Sequence, residues 1–239
     1  MGKPTYSNYF TVVVYDEFTR INVLYELGSL YFSPVHFYQN RHKSDACKPQ
    51  AFDLIKASNE WRLYGYTERK PHQHILIKTA RNYTENTFIQ ALLQLLNNDV
   101  TGIAIHQGDC LTKRPDLALR YFYHIDNPTK EHFNLATAFE SVMPAFTKEV
   151  VTAFEIEITH IITSEILMGN IKSIEDVLIY NSYSLVFEEY LRRGHNMYLV
   201  MSTIKDRRYL IEKAKEKKRN ENNYHINRET AQLCDYQER

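Results

Sequence analysis

Residues 70–78 read Lys70-Pro71-His72-Gln73-His74-Ile75-Leu76-Ile77-Lys78 (KPHQHILIK). The run is too short for a helix and has the aliphatic density of a strand, with Trp61 to Tyr66 (WRLYGY) as its hairpin partner across Thr67 to Pro71. On a strand, residues i and i+2 project from one face, so His72 and His74 point the same way about 7 Å apart along the backbone. Two neutral imidazoles at that spacing can share one divalent ion.

Working outward, Tyr9 to Tyr15 (YFTVVVY) has the β-branched and aromatic character of a largely buried strand, and Leu30 to Phe37 (LYFSPVHF) reads as another, with Pro34 implying an edge or a bulge. His36 on that neighbouring strand is a third possible ligand, because adjacent strands lie within about 5 Å. Three histidines on a sheet face leave metal positions open for a substrate oxygen.

Between these strands, Ile21, Leu24, Tyr25 and Leu27 have the spacing of a short amphipathic helix over Thr19 to Ser29. Phe88, Ala91, Leu92, Leu95 and Leu96 define a clearer one over Tyr83 to Asn97. Val100 to His106 returns to strand character, and Pro115 suits the first turn of a helix over Asp116 to Ile125. Tyr38 to Glu60 is polar and irregular, an inserted loop. The order predicts an α+β domain over residues 1–133 around one mostly antiparallel sheet.

After Phe133 the pattern changes. Val150, Phe154, Ile158, Ile162 and Ile166 recur every four residues and predict one helix, with Gly169-Asn170 as its stop. Ser173 to Asp176 resembles a capping box, Ser184 to Arg193 forms a further helix stopped by Gly194, and Met197 to about Lys218 another. Residues 134–219 are therefore expected to form an all-α domain, followed by a frayed polar tail over 220–239.

Composition bounds the class. With 44% hydrophobic and 24% charged residues the chain of 239 residues can build a core, and 29 Lys+Arg against 29 Asp+Glu excludes any whole-chain electrostatic argument for nucleic acid or membrane. Charge is local: residues 205–219 hold 8 Lys/Arg and 3 Asp/Glu, net +5, either a solvated helix face or a phosphate-contacting one. The cysteines, Cys47, Cys110 and Cys234, are too scattered for a disulfide framework or a thiolate zinc site. With no signal sequence and no membrane span in view, a soluble cytoplasmic protein is expected.

The candidate nucleophile to pair with such a metal lies in Leu119-Arg120-Tyr121-Phe122-Tyr123-His124. Positions two apart on a helix point about 200° from one another, so only one of Tyr121 and Tyr123 can face the ion. Tyr121 shares a face with Leu117 and His124, whereas Tyr123 lies with Leu119.

Taken in order, YFTVVVY at 9–15, SPVH at 33–36, KPHQHILIK at 70–78 and RYFYHIDNPTK at 120–130 resemble the replication initiators of small rolling-circle plasmids, members of the HUH endonuclease superfamily. The resemblance covers roughly residues 8–135. It implies a five-stranded antiparallel sheet flanked by helices, a divalent ion (Mn or Mg) on His36, His72 and His74, and Tyr121 as the catalytic tyrosine, with His124 three residues on. It also implies nicking of single-stranded plasmid origin DNA with a 5′-phosphotyrosine link, rejoining by transesterification, homo-oligomerisation through the helical domain, and host replication proteins as partners. Lys70, Lys78, Arg81, Lys113, Arg114 and Arg120 surround these motifs and could contact phosphates, which position DNA without reading its sequence.

Two departures stand out. Gln39 occupies the place of the family's usual aspartate ligand, and an amide oxygen is the poorer ligand for a hard cation. Either coordination weakens, or Asp45, His42 or another group of the inserted loop completes it. The loop at 38–60 is itself longer than the motifs require. A mobilisation relaxase or single-strand transposase of the same chemistry is the nearest alternative, and a catalytically decayed origin-binding or copy-control protein the next.

Overall fold

A computed structural model describes residues 4–15, 21–33, 35–42, 45–46, 68–69, 71–97, 103–104, 110–127, 133–140 and 142–237. The elements in chain order are β1 (Tyr6–Tyr15), α1 (Ile21–Leu30), β2 (Val35–His42), β3 (Asp45–Ala46), β4 (Glu68–Arg69), β5 (His72–Thr84), α2 (Glu85–Leu95), β6 (Ile103–Ala104), α3 (Pro115–Phe122), α4 (Leu135–Glu140) and α5 (Thr147–Ala153). Four helices follow: α6 (Glu155–Met168), α7 (Ile174–Leu178), α8 (Ser184–Arg192) and α9 (Gly194–Gln237). The chain separates into two compact units, Met1–Phe154 and Glu155–Arg239.

In the first unit β5 is central and antiparallel to both long neighbours, in the order β2-β5-β1-β6, while β3 and β4 form a separate two-residue ladder. The fold is thus α+β, and among the described residues its sheet has three long strands and the two-residue β6. Trp61 to Tyr66, expected to pair with β5, lies outside the described residues, as does most of the 38–60 loop.

The second strand also begins later than the sequence suggests. Leu30 ends α1, and Phe32 turns into the core against Phe88 and Tyr83, so β2 runs from Val35 to His42. That displacement carries the strand's last residue to the head of β5.

Alternation sorts the sheet's side chains into two layers. Phe10, Val12, Val14, Ile75 and Ile77 pack on Leu24 and Leu27 of α1 and on Phe88 and Leu92 of α2, with Phe10 stacked on Phe88 at 4.2 Å. Full burial of such a side chain stabilises by about 1.5–3 kcal/mol. The opposite face presents Tyr38, Asn40 and His42 beside His72, His74 and Leu76, and the chain from α3 to α5 covers it. The Tyr38 and Tyr123 hydroxyls are hydrogen-bonded at 2.8 Å, Tyr38 meets the edge of Phe146, and Tyr123 that of Phe154.

This covering layer moves the boundary of the first unit from the expected 133 to 154. Phe139, Phe146, Val150 and Phe154 are fully or almost fully buried within it. The single helix expected across 150–166 is correspondingly broken at Phe154 (φ −122°, ψ 26°), which leaves helical geometry and packs its ring against Tyr123 and Phe139.

The second unit is all helical. Ile158, Ile162 and Ile166 of α6 are buried, and Ser173 and Asp176 form a reciprocal capping box at α7. Gly194 does not merely stop α8, since α9 starts there and runs through Gln237, over the stretch expected to fray. Glu155 ties the start of α6 to Arg193, His195 and Asn196. Burial raises its pKa, but the bonds from Asn196 and His195 and the charge of Arg193 outweigh that and hold it below the usual value. Among the described residues no helix is long and apolar enough to cross a membrane.

Candidate metal and nucleophile site

The antiparallel register of β2 on β5 builds the site. His42 stands opposite His72, and Asn40 opposite His74. Since residues two apart share a face, His42, Asn40, His72 and His74 all project toward the layer that α3 covers. The three imidazoles are buried, and one ring nitrogen from each lies within 4.8 Å of the others.

His36 is not part of this cluster. It is opposite Lys78, six residues back along β2, or about 20 Å at strand rise, and it is exposed. Gln39 fails for a different reason: three residues from His42, it projects from the other face of the sheet. His42, open in the sequence as a completing ligand, takes the third place. Of Asp45 only the backbone is described.

The donor set fits a metal ion. His72 Nε2 and His74 Nε2 are 3.2 Å apart, close to the roughly 3.3 Å edge between two nitrogens each held about 2.0–2.1 Å from one tetrahedral ion. His42 Nε2 lies 2.7 Å from the Phe122 carbonyl oxygen. A carbonyl only accepts, so this nitrogen is the donor, and in the neutral ring that leaves the lone pair on Nδ1. A backbone carbonyl that sets the tautomer in this way is a usual partner of metal-binding histidine. Phe122 stacks on His74 and Phe133 on His42, so the cluster sits in a largely apolar wall.

Tyr121 is at the rim. It is 47% exposed, and its ring stands nearly perpendicular to that of His74, with centroids 5.3 Å apart and planes at 87°. Tyr123 lies on the other side of the turn and is 1% exposed. Burial pushes its hydroxyl's pKa up, against the bonds from Tyr38 and Thr137. One tyrosine is thus an exposed side chain against His74 and the other a core side chain.

The end of α3 places both. His124 adopts φ 55°, the left-handed conformation, and donates its N–H to the Tyr121 carbonyl, while the Ile125 N–H reaches the Arg120 carbonyl. These are the two bonds of a Schellman ending, here with histidine where glycine is usual. The His124 ring packs 4.6 Å from His42 and 5.1 Å from Phe133. Sequence periodicity carries no sign of this turn.

Three of the six cations near the motifs are engaged within the protein. Lys78 donates to Glu149 and to the Ala145 carbonyl, and the Tyr9 hydroxyl donates to the same carboxylate oxygen. Burial, followed by the Glu149 bond, drives the Tyr9 hydroxyl's pKa far up. Arg120 grips Asp126 and the Ala153 carbonyl, and Arg114 forks onto Asp116. Arg81 and Lys113 are exposed, and Lys70 lies outside the described residues.

No protein-family model matches the chain, and no curated protein matches it in sequence.

Proposed function

We propose that this chain cuts and rejoins single-stranded DNA through Tyr121, as the initiator of rolling-circle replication of a plasmid, with a divalent ion of the Mn or Mg kind on His42, His72 and His74. One observation carries the reading: an exposed tyrosine whose ring stands perpendicular to His74, one of a buried cluster of three imidazoles on one face of an antiparallel sheet. Bound there, the ion supplies Lewis-acid polarisation of a non-bridging phosphate oxygen.

The chain's own residues do the rest. Tyr121 attacks phosphorus with its hydroxyl oxygen. The Tyr–O–P bond forms and the bond from phosphorus to the 3′ oxygen breaks; the tyrosine proton passes to solvent, and the 3′ oxygen takes a proton from solvent and leaves as a hydroxyl, with no net proton released. A phenol is a weak nucleophile near neutral pH, so position and a polarised electrophile must provide the rate. Phosphotyrosine keeps the bond energy, and a later 3′ hydroxyl reverses the step without ATP. The basic stretch 205–219, exposed along almost all of its length, supports added phosphate contact.

The test is a denaturant-resistant adduct between the full chain and a labelled single-stranded oligonucleotide from its plasmid's origin, formed with Mn²⁺. Tyr121→Phe should abolish it and Tyr123→Phe should not. Binding to duplex origin with no adduct under any divalent ion would leave a DNA-binding protein without nicking activity.

A further inference from the structure

The last four carbonyls of a helix have no partner inside it, and at α3 all four are accounted for. Leu119 accepts from Tyr123, Arg120 from Ile125 and Tyr121 from His124, all inside the turn. The fourth is different. The Phe122 carbonyl accepts two hydrogen bonds from strand β2, from Asn40 Nδ2 at 2.7 Å and from His42 Nε2 at 2.7 Å.

That shared acceptor joins the two halves of the site. Phe122 follows Tyr121 in the chain, so whatever holds its carbonyl sets where the Tyr121 ring stands over His74. His42 is at the same time one of the three imidazoles. A cation on its Nδ1 draws electron density from the ring and makes Nε2–H the stronger donor, as charge-assisted hydrogen bonds are. Asn40 is not in the imidazole cluster. It stands opposite His74 in the ladder and grips the same oxygen from one step away.

We propose that Asn40 is a positioning residue for Tyr121, and that through the shared Phe122 carbonyl the binding of a divalent ion at His42, His72 and His74 tightens the seat of the Tyr121 helix. The part concerning strand transfer rests on the function proposed above. The coupling between ion and helix does not.

The experiment is hydrogen exchange on the full chain with and without Mn²⁺, read at the amides of Tyr123, His124 and Ile125. Mn²⁺ binding is measured separately by equilibrium dialysis. In the native chain Mn²⁺ should slow these amides about fivefold, the scale of one strengthened hydrogen bond. Asn40→Leu keeps the shape but removes the donor. It should still bind Mn²⁺ but exchange about fivefold faster at these amides both with and without the ion, since the response itself runs through His42, and Asn40→Ala should do the same if leucine disturbs folding as seen by circular dichroism.

With origin oligonucleotide, Asn40→Leu should lower the rate of adduct formation at saturation about tenfold and leave the half-saturating concentration unchanged, the pattern of a group that acts on the reacting geometry. Three results overturn the proposal: no Mn²⁺ binding, bound Mn²⁺ without slower exchange at these amides, or an Asn40→Leu chain whose amides exchange as slowly as the native ones. An exchange response in a chain that forms no adduct would uphold the coupling and remove the nicking function instead.

Discussion

His42 and His72 face each other across the antiparallel β2–β5 ladder, and their rings meet at 5.0 Å with planes inclined at 62°. Directly opposed residues on one face are the closest side-chain pairs a sheet offers. His74 adds the third imidazole two residues along, and its 3.2 Å approach to His72 is made on the same strand. The site is therefore a product of strand pairing, and anything that shifts β2 on β5 dismantles it.

Metal binding should follow that pairing. His42→Ala should weaken Mn²⁺ or Zn²⁺ binding more than about tenfold, since even outer partners of a metal site are worth that much. His36→Ala, about 20 Å away along the strand, should leave it unchanged. Equilibrium dialysis of the two variants decides, and a loss on His36→Ala equal to that on His42→Ala would put the ion elsewhere.

Tyr123 should report on the core and on alkaline pH. Tyr123→Phe removes the bond to Tyr38 and should cost about 1 kcal/mol in urea unfolding near neutral pH. The Tyr9 and Tyr123 hydroxyls both have pKa values raised by burial above the unfolded value. Their contribution is fully present below about pH 10, where an unfolded tyrosine begins to ionise, and is lost as pH rises toward the folded values. Stability should fall above about pH 10, with a shallower fall in Tyr123→Phe. A stability that rises over that range would contradict the burial of both groups.

His124 tests the turn. At φ 55° a Cβ is disfavoured, so the usual order of substitutions should reverse. His124→Gly should be more stable than His124→Ala by about 1 kcal/mol, although alanine is elsewhere the better residue in and near helices. Urea midpoints of the two variants measure this directly. Equal midpoints would mean that the residue is not held in the left-handed region.

Gly169 makes the same argument in the second unit, with a steric part added. At φ 92° it closes α6, and a Cβ there would run into the guanidinium of Arg207, whose Nε donates to the Leu167 carbonyl. Gly169→Ala should destabilise by about 1–2 kcal/mol. In the double variant with Arg207→Ala the steric part should disappear and the backbone part persist, leaving an interaction energy of about 0.5 kcal/mol or more in the cycle.

Much of this was legible in residue order. YFTVVVY, HQHILIK and the Phe88–Leu96 stripe form a strand, a strand and a helix because burial of one face imposes its period on the sequence. Ser173 and Asp176 cap their helix because the bond lies within one turn. That Tyr121 and Tyr123 have opposite surroundings follows from the angle per residue alone. The break at Phe154 was not legible, because a stripe repeating every four residues does not show which of its members will turn toward a neighbouring layer.

Sequence alone determined that His72 and His74 share a face, that one strand beside them carries another histidine, and that a single tyrosine of the YFY run can meet them. Which histidine that is was decided only by the tertiary structure. His36 and His42 differ by six positions, an even number, so alternation gives both the same face and cannot separate them. The choice rests on the ladder register, fixed where Phe32 enters the core and β2 begins, and register is a pairing between distant segments that no local period records.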